Sequence, residues 1–293
     1  TKFKDALKSN SQTAIETALE KLAPCFEQHP EKINEMVSWL KNEENVFDLL
    51  SMLREANMEH SSPSAKDIII KLSLEIVQMD NLFEKRSAAL SQLTKAFDVT
   101  NEVMTSTADI APPVIDSVMN LVNNDPDKRI RLAAIETIDH WIDRNPNILS
   151  SLGEKLLQSA KASDDAEFRF EALQTIVNSA NRHMGFSEDA LLQLTDILWK
   201  DPDARNRALA VQGFTGASGL AINSALTQLE TAYYEQRDQN TRSLILHQMA
   251  AIGKTEAISL LQKIPETDPL LSEAQTLLQT LKIKEGSLTD NTQ

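Results

Sequence analysis

Along residues 126–144 the apolar side chains fall three and four apart. Ile130, Ala134, Ile138 and Trp141 share one stripe at about 100° per residue, and Leu132, Glu136, Asp139 and Asp143 point the opposite way. The same spacing, rather than strict alternation, recurs along the chain and predicts helices near 11–28, 30–41, 43–57, 63–79, 81–98, 112–123, 126–144, 147–161, 164–181, 187–200, 202–216, 222–236, 238–252, 254–263 and 269–282. No segment reads as a strand. Ser62-Pro63, Asp125-Pro126, Asn145-Pro146, Asp201-Pro202 and Asp268-Pro269 each put a side-chain acceptor at an expected N-cap and proline at the first helical position. His29-Pro30 and Ala111-Pro112-Pro113 open two more helices. From Glu285 to Gln293 the only apolar residue is Leu288, so this tail is expected to be disordered.

The helices repeat. Asp127-Lys-Arg-Ile-Arg131-Leu-Ala-Ala134-Ile135 recurs 38 residues later as Asp165-Ala-Glu-Phe-Arg169-Phe-Glu-Ala172-Leu173, and again 38 residues later as Asp203-Ala-Arg-Asn-Arg207-Ala-Leu-Ala210-Val211. Asp238-Gln-Asn-Thr-Arg242-Ser-Leu-Ile245-Leu246 follows after 35. A further helix precedes each copy, so the unit is a helical hairpin, and hairpins repeated in tandem mark a solenoid. This pattern resembles the HEAT-repeat family, whose second helix opens with Asp, a hydrophobic residue, Arg, and then small and aliphatic residues. The resemblance covers 112–263. Its period is shorter than the roughly 40–47 residues of that family, and Asn206 and Thr241 stand where a hydrophobic residue is usual. The resemblance implies an all-α, right-handed α-solenoid of HEAT-like helical hairpins. Upstream, Arg86-Ser-Ala-Ala89-Leu90 echoes the motif with Leu82 in place of Asp. We therefore expect divergent N-terminal helical repeats over 1–111, HEAT-like repeats over 112–284 and a tail over 285–293, the whole being one continuous array.

Composition narrows the chemistry. With 41% hydrophobic and 25% charged residues the chain can bury a core, and no apolar run reaches the roughly 18 residues a membrane span needs. The net charge is −14, and successive hundreds carry −4, −7 and −3, so no third of this acidic chain offers the clustered Lys and Arg that phosphate contacts need. Nucleic acid is not an expected partner, although Trp39, Trp141 and Trp199 are of a type that stacks on bases. Cys25 is the single cysteine, which excludes an intrachain disulfide and a thiolate zinc site. A soluble, cytoplasmic protein is expected; a signal or anchor upstream of Thr1 would instead place it outside the cytoplasm.

The four Asp-x-x-x-Arg pairs, Asp127/Arg131, Asp165/Arg169, Asp203/Arg207 and Asp238/Arg242, are the most specific polar feature. Because they repeat with the fold, we read them as a structural ladder in which each Arg reaches its own Asp and that of an adjacent repeat. An active site need occur only once. His29, His60, His140, His183 and His247 lack ligand spacing on one helix face, and no metal or other cofactor is expected. Gly213-Phe-Thr-Gly216-Ala-Ser-Gly219 ends a helix without the Lys-Ser/Thr of a phosphate-binding loop and reads as a stop and turn. Cys25 has only His29 one turn away and is expected to be buried rather than nucleophilic.

No catalytic residue is assigned. The stripe opposite the core, carried through the repeats, forms one row of Leu132, Phe170, Ala208 and Ser243 and a second of Glu136, Gln174, Gln212 and His247. In a HEAT-like stack these rows line the concave face. The expected function is a non-catalytic scaffold or adaptor that binds another protein or peptide through Leu132, Glu136, Phe170, Gln174, Gln212 and His247, with its oligomeric state open. The alternative implied by the resemblance is a HEAT-like enzyme acting on nucleic acid, similar to the DNA-alkylation glycosylases, or a chromophore lyase.

Overall fold

The computed structural model describes scattered positions before residue 30, then residues 31–42, 46–60, 63–79, 82–97, 110–183, 186–217, 221–252 and 255–289. Among the described residues the chain is all-α, apart from one isolated bridge, with helices packed sequentially as hairpins. Its contacts divide it into two compact units, Thr1–Asn147 and Ile148–Gln293. That division falls within the stretch read from sequence as uninterrupted repeats, not at Ala111.

The first unit contains α1 (Glu31–Leu40), α2 (Val46–His60), α3 (Pro63–Met79), α4 (Phe83–Lys95), α5 (Pro112–Asn124) and α6 (Lys128–Arg144). First helices α1 and α3 lie side by side, as do second helices α2, α4 and α6, while α3 packs on α4 and α5 on α6. The divergent N-terminal helices thus obey the same hairpin order as the clear repeats. In the second unit α7 (Leu149–Ala162), α9 (Glu188–Lys200), α11 (Ala221–Glu235) and α13 (Thr255–Gln262) form the layer of first helices. The second helices are α8 (Ala166–His183), α10 (Ala204–Gly213), α12 (Gln239–Ile252) and α14 (Leu271–Thr289), each touching the next. Apolar side chains from both layers fill the space between them. In α6 the stripe Ile130, Ala134, Ile138 and Trp141 is 0% exposed, and Trp141 meets Phe97 edge-on at 5.4 Å.

The Asx-Pro pairs act differently from the sequence expectation. Pro63 and Pro112 do open α3 and α5. Pro126, Pro202 and Pro269 instead lie in turns two residues ahead of their helices, because Asp125, Asp201 and Asp268 turn their carboxylates onto the N–H of the second residue on: Asp127 at 3.0 Å, Asp203 at 2.9 Å and Leu270 at 2.9 Å. Such an Asx turn reverses the chain before the helix begins. The N-cap role passes to Asp127 and Asp203, which accept from the N–H of Arg129 and Arg205, each at 2.9 Å. Asn145 likewise accepts from Asn147 and leads into a 3-10 turn, Pro146–Ile148, before α7.

Gly213 and Gly216 mark a close approach. A Cβ on Gly213 would lie 2.8 Å from Leu194 Cδ1, and one on Gly216 would lie 2.8 Å from Ala180 Cβ. Helix α10 stops at Gly213 and continues as a short 3-10 turn, Phe214–Gly216, as the stop-and-turn reading expects; Gly219 lies outside the described residues. Among the described residues the only β feature is an isolated bridge between Phe186 and Ala217. The chain's last helix, α14, runs to Thr289, past the expected end near 282 and into the tail expected to be disordered. A helix can persist there because Lys282, Ile283, Lys284 and Glu285 carry no breaker before Gly286. Among the described residues no helix is long and apolar enough to cross a membrane.

Candidate functional site

The arginine ladder exists, but its carboxylates are not the ones expected from sequence. Arg169 closes on Asp201 with Nε to Oδ2 at 2.8 Å and Nη2 to Oδ1 at 3.2 Å. Arg86 grips Asp125 in the same two-pronged way, and Arg242 holds Asp268 through a single bond from Nη2. Each carboxylate belongs to the Asx-Pro turn of the following hairpin. The partners are buried, with side chains 10% and 6% exposed for Arg169 and Asp201. Arg86 adds a bond from Nε to the Val77 carbonyl at 2.6 Å, and Arg242 one to the Tyr233 carbonyl at 3.2 Å. Fork-on-carboxylate geometry of this kind is the strong form of the ion pair.

Asp127, Asp165, Asp203 and Asp238 cap their own helices, and Arg169 and Arg242 place their guanidinium groups on Asp201 and Asp268 instead. Helix geometry explains the correction: a cap carboxylate folds over the first N–H groups of its own helix and faces away from the side chain at i+4. Asp165 accepts from Glu167 at 3.0 Å and Phe168 at 3.1 Å; Asp238 accepts from the Thr241 N–H at 2.8 Å and its hydroxyl at 2.6 Å. Arg131 and Arg207 donate through Nη1 to the carbonyls of Asp125 and Asp201, both at 2.9 Å, tying the turn to the helix it precedes. The two departures from the HEAT pattern fit the same chemistry. Asn206 is 0% exposed and its Nδ2 donates to Asp201 at 3.1 Å, while the Thr241 hydroxyl serves Asp238. The Arg205 side chain beside Asp203 holds that carboxyl below its ordinary value, and Thr241 does so for Asp238.

The rows proposed as a binding face sit on the outward side of the second helices. In the first unit Leu132 is half-buried and Glu136 exposed. In the second, Phe170, Gln174, Ala208 and Ser243 are half-buried, and Gln212 and His247 are exposed. Phe170 does not present a bare ring. The Arg205 guanidinium lies 4.9 Å from its centroid and is pinned there by Asp203 at 2.8 Å and Glu167 at 3.2 Å. Arg129 covers Phe83 in the same manner at 4.0 Å. This arginine-over-aromatic device was not read from the sequence, although Arg129 and Arg205 occupy equivalent places 76 residues apart. At the other end of the rows the Ser243 hydroxyl donates to Glu273 at 2.5 Å, and His247 Nε2 stands 3.0 Å from the same oxygen. A cleft of about 530 Å³ between α10 and α12 is lined by Arg207, Ala208, Asn240, Ser243 and His247 among others.

Other candidates resolve into packing. Among the described residues no group of three His, Cys, Asp or Glu side chains is placed to hold a metal ion. Trp141 is wholly buried in the first unit and so offers no ring face for stacking, while Trp39 in the same unit and Trp199 in the second are half-buried. Cys25 is free and half-buried rather than buried as expected; one turn on, His29 turns its Nδ1 to Glu31 at 3.2 Å. A second cleft, of about 510 Å³, lies where α7 and α9 end. Lys161 and Lys200 both clasp Asp196 beside it, at 2.6 and 2.5 Å, and hold its carboxyl below the usual value.

No family model matches the chain, and no curated protein does. Solved structures similar to it include two engineered proteins and Escherichia coli YibA. The first engineered protein is 16% identical, with 80% of this chain and 96% of that one covered and a TM-score of 0.38. The second is 14% identical, with 96% and 99% covered and a TM-score of 0.37. The X-ray structure of YibA is 12% identical, with 84% and 96% covered and a TM-score of 0.30.

Proposed function

We propose that this chain is a non-catalytic scaffold that binds another protein through the outward face of its second helices. One observation carries the reading. The buried charged groups are consumed in holding hairpins together, as in Arg169 on Asp201, whereas half-buried Phe170 and Gln174 and exposed Gln212 and His247 lie on adjoining helices of one layer. A half-exposed aromatic flanked by carboxamides suits a polypeptide: the ring supplies an anchor and the amides both donate and accept. The face is built on helices packed against a common core, so it is held in shape before any partner arrives, which lowers the ordering cost of binding.

The test is purification of the full chain with its bound proteins from the native cell, followed by cross-linking of the reconstituted complex. Contacts concentrated on the outward residues of α8, α10 and α12 are expected. Contacts confined to the first helices α7, α9 and α11 would overturn the assignment of the face.

A further inference from the structure

In α8 and α10 charge is confined to the helix ends. Arg169 spends its guanidinium on Asp201, and Arg207 donates to the carbonyls of Asp201 and Pro202, because the turn that follows carries Gln236 where Asp201 and Asp268 stand in the others. Beyond them the charges stop. No Asp, Glu, Lys or Arg occurs between Glu171 and Arg182 in α8, or between Arg207 and Glu230, a stretch that holds the rest of α10. The corresponding stretch of α6 carries Glu136, Asp139 and Asp143, so the uncharged strip belongs to the second unit and not to the repeat as such.

What lies outward along the strip is carboxamide. Gln174, Asn178 and Asn181 follow one another at four and three residues and so share one side of α8; Gln174 is half-buried and the two asparagines are exposed. On α10, which packs against α8, exposed Gln212 holds the place equivalent to Gln174. The Thr215 hydroxyl, in the turn that ends α10, donates to Asn181 Oδ1 at 2.8 Å and joins the two helices there. Among the described residues the side-chain amides of Gln174, Asn178 and Gln212 have no hydrogen-bond partner.

Each of these amides both donates and accepts, and none carries charge. An extended polypeptide main chain has the same chemistry. Every second residue turns its N–H and its C=O to one edge of the strand, at intervals of about 6.6–6.8 Å. Gln174 and Asn178, four residues apart in a helix, are separated by about 6 Å along its axis, and their flexible side chains take up the difference. A helical segment bonds its main-chain groups internally and leaves none for the strip. A nucleic acid would bring phosphates to a strip that has no Lys or Arg to meet them.

We propose that α8 and α10 hold one extended, uncharged segment of the partner polypeptide by its main chain, with Gln174 and Asn178 bonding the edge toward α8 and Gln212 the edge toward α10. The inference rests on the protein-binding reading and names the form in which the partner is held. Main-chain bonds supply the affinity in such a mode, so the strip tolerates changes in the segment's side chains.

The experiment uses the full chain, with the side-chain amide signals of Gln174, Asn178 and Gln212 followed by NMR. The probes are acetyl-Thr-Val-Thr-Val-Thr-amide, the same peptide N-methylated at every second residue, acetyl-Val-Ser-Ile-Ser-Val-amide and a single-stranded oligothymidylate. Saturable shifts of all three amides are expected with both unmethylated peptides, at affinities within about threefold of each other, and about tenfold or more weaker after methylation. Gln212→Glu and Asn178→Asp sit at exposed helix positions, so the urea midpoint should stay in place. Each keeps its acceptor but loses its donor, and each should weaken both peptides by a similar factor. Equal binding of the methylated peptide, a preference between the two side-chain sets of more than about tenfold, shifts with the oligothymidylate alone, variants that bind unchanged, or no saturable shift would each overturn the proposal. If the native partner cross-links to α8 and α10 while the peptides leave the amides unmoved, the extended segment is removed and the scaffold stands. Peptide shifts as expected, with the native partner cross-linked only to α7, α9 and α11, do the reverse.

Discussion

Arg169 and Asp201 are 32 residues apart in sequence and joined by two hydrogen bonds in the folded chain, Nε donating to Oδ2 and Nη2 to Oδ1, so that one edge of the guanidinium meets both carboxylate oxygens. Asp201 is at the same time the acceptor that turns the chain toward Asp203 and the acceptor for Asn206. One carboxylate therefore serves a turn, a buried amide and the preceding hairpin. Arg169→Ala leaves it buried and short of its cation, and should cost about 3 kcal/mol. Arg207→Ala removes only bonds to carbonyls and should cost about 1 kcal/mol. Urea unfolding of the two variants compares them; equal losses would show that the ionic edge adds nothing.

Two glycines should respond with opposite sign. Gly216→Ala forces a methyl against Ala180 and should destabilise the second unit by about 1–3 kcal/mol. In α7, a Cβ on Gly153 would meet Leu149 at 3.5 Å and Ile176 at 3.8 Å, which is ordinary contact. Gly153→Ala should therefore stabilise by about 0.5–1 kcal/mol through helix propensity. Thermal unfolding of both variants decides the signs.

Acid should weaken the protein in a defined window. Burial raises the Asp268 carboxyl, but the Leu270 N–H, Tyr233 and Arg242 outweigh it and the net shift is downward from 3.8. Asp203 and Asp238 are shifted downward as well. A carboxyl depressed in the folded state contributes stability that is fully present above its unfolded value and lost as pH falls through the folded one. The urea midpoint should be flat with respect to these groups in neutral solution and fall below about pH 4. A midpoint that rises on acidification in that range contradicts the assignment.

Phe170→Ala, measured against an identified partner, should weaken binding by about 2 kcal/mol while costing less in stability than Arg169→Ala, because the ring is only half-buried. Arg205→Ala uncovers the same ring and should leave partner binding less impaired than the loss of the ring itself. Titration calorimetry beside unfolding curves separates anchor from core: unchanged affinity with a large stability loss assigns Phe170 to packing.

Much of the fold could be read locally. The stripe Ile130, Ala134, Ile138 and Trp141 is a matter of helical spacing alone, and the structure buries all four. The motif Arg was also visible, including Arg86 in a repeat whose N-cap is Leu82 with no side-chain bond to offer. What sequence spacing could not supply was the partner. Asp165 and Arg169 are one helical turn apart and invite pairing, yet the cap geometry turns the carboxylate to its own helix, and Arg169 finds Asp201 in the turn of the next hairpin. The Asx-Pro dipeptides are as compatible with a helix start as with a turn ahead of it; the side-chain bond to the second residue on, which moves the start, is a property of the folded turn. The arginines over Phe83 and Phe170 depend on contacts between successive second helices, and no local pattern announces them.

The absence of an aspartate at Gln236 has a mechanical consequence. Within the second unit, the α7–α8 hairpin is clasped ionically to the turn before α10, and the α11–α12 hairpin to the turn before α14, while among the described residues the seam between α10 and α12 has no such clasp. The chemical repeat is thus two hairpins long although the structural repeat is one. Pulled from its two ends, this unit should part first at that seam into two clasped pairs, so that its extension trace shows steps the length of a double hairpin rather than a single one.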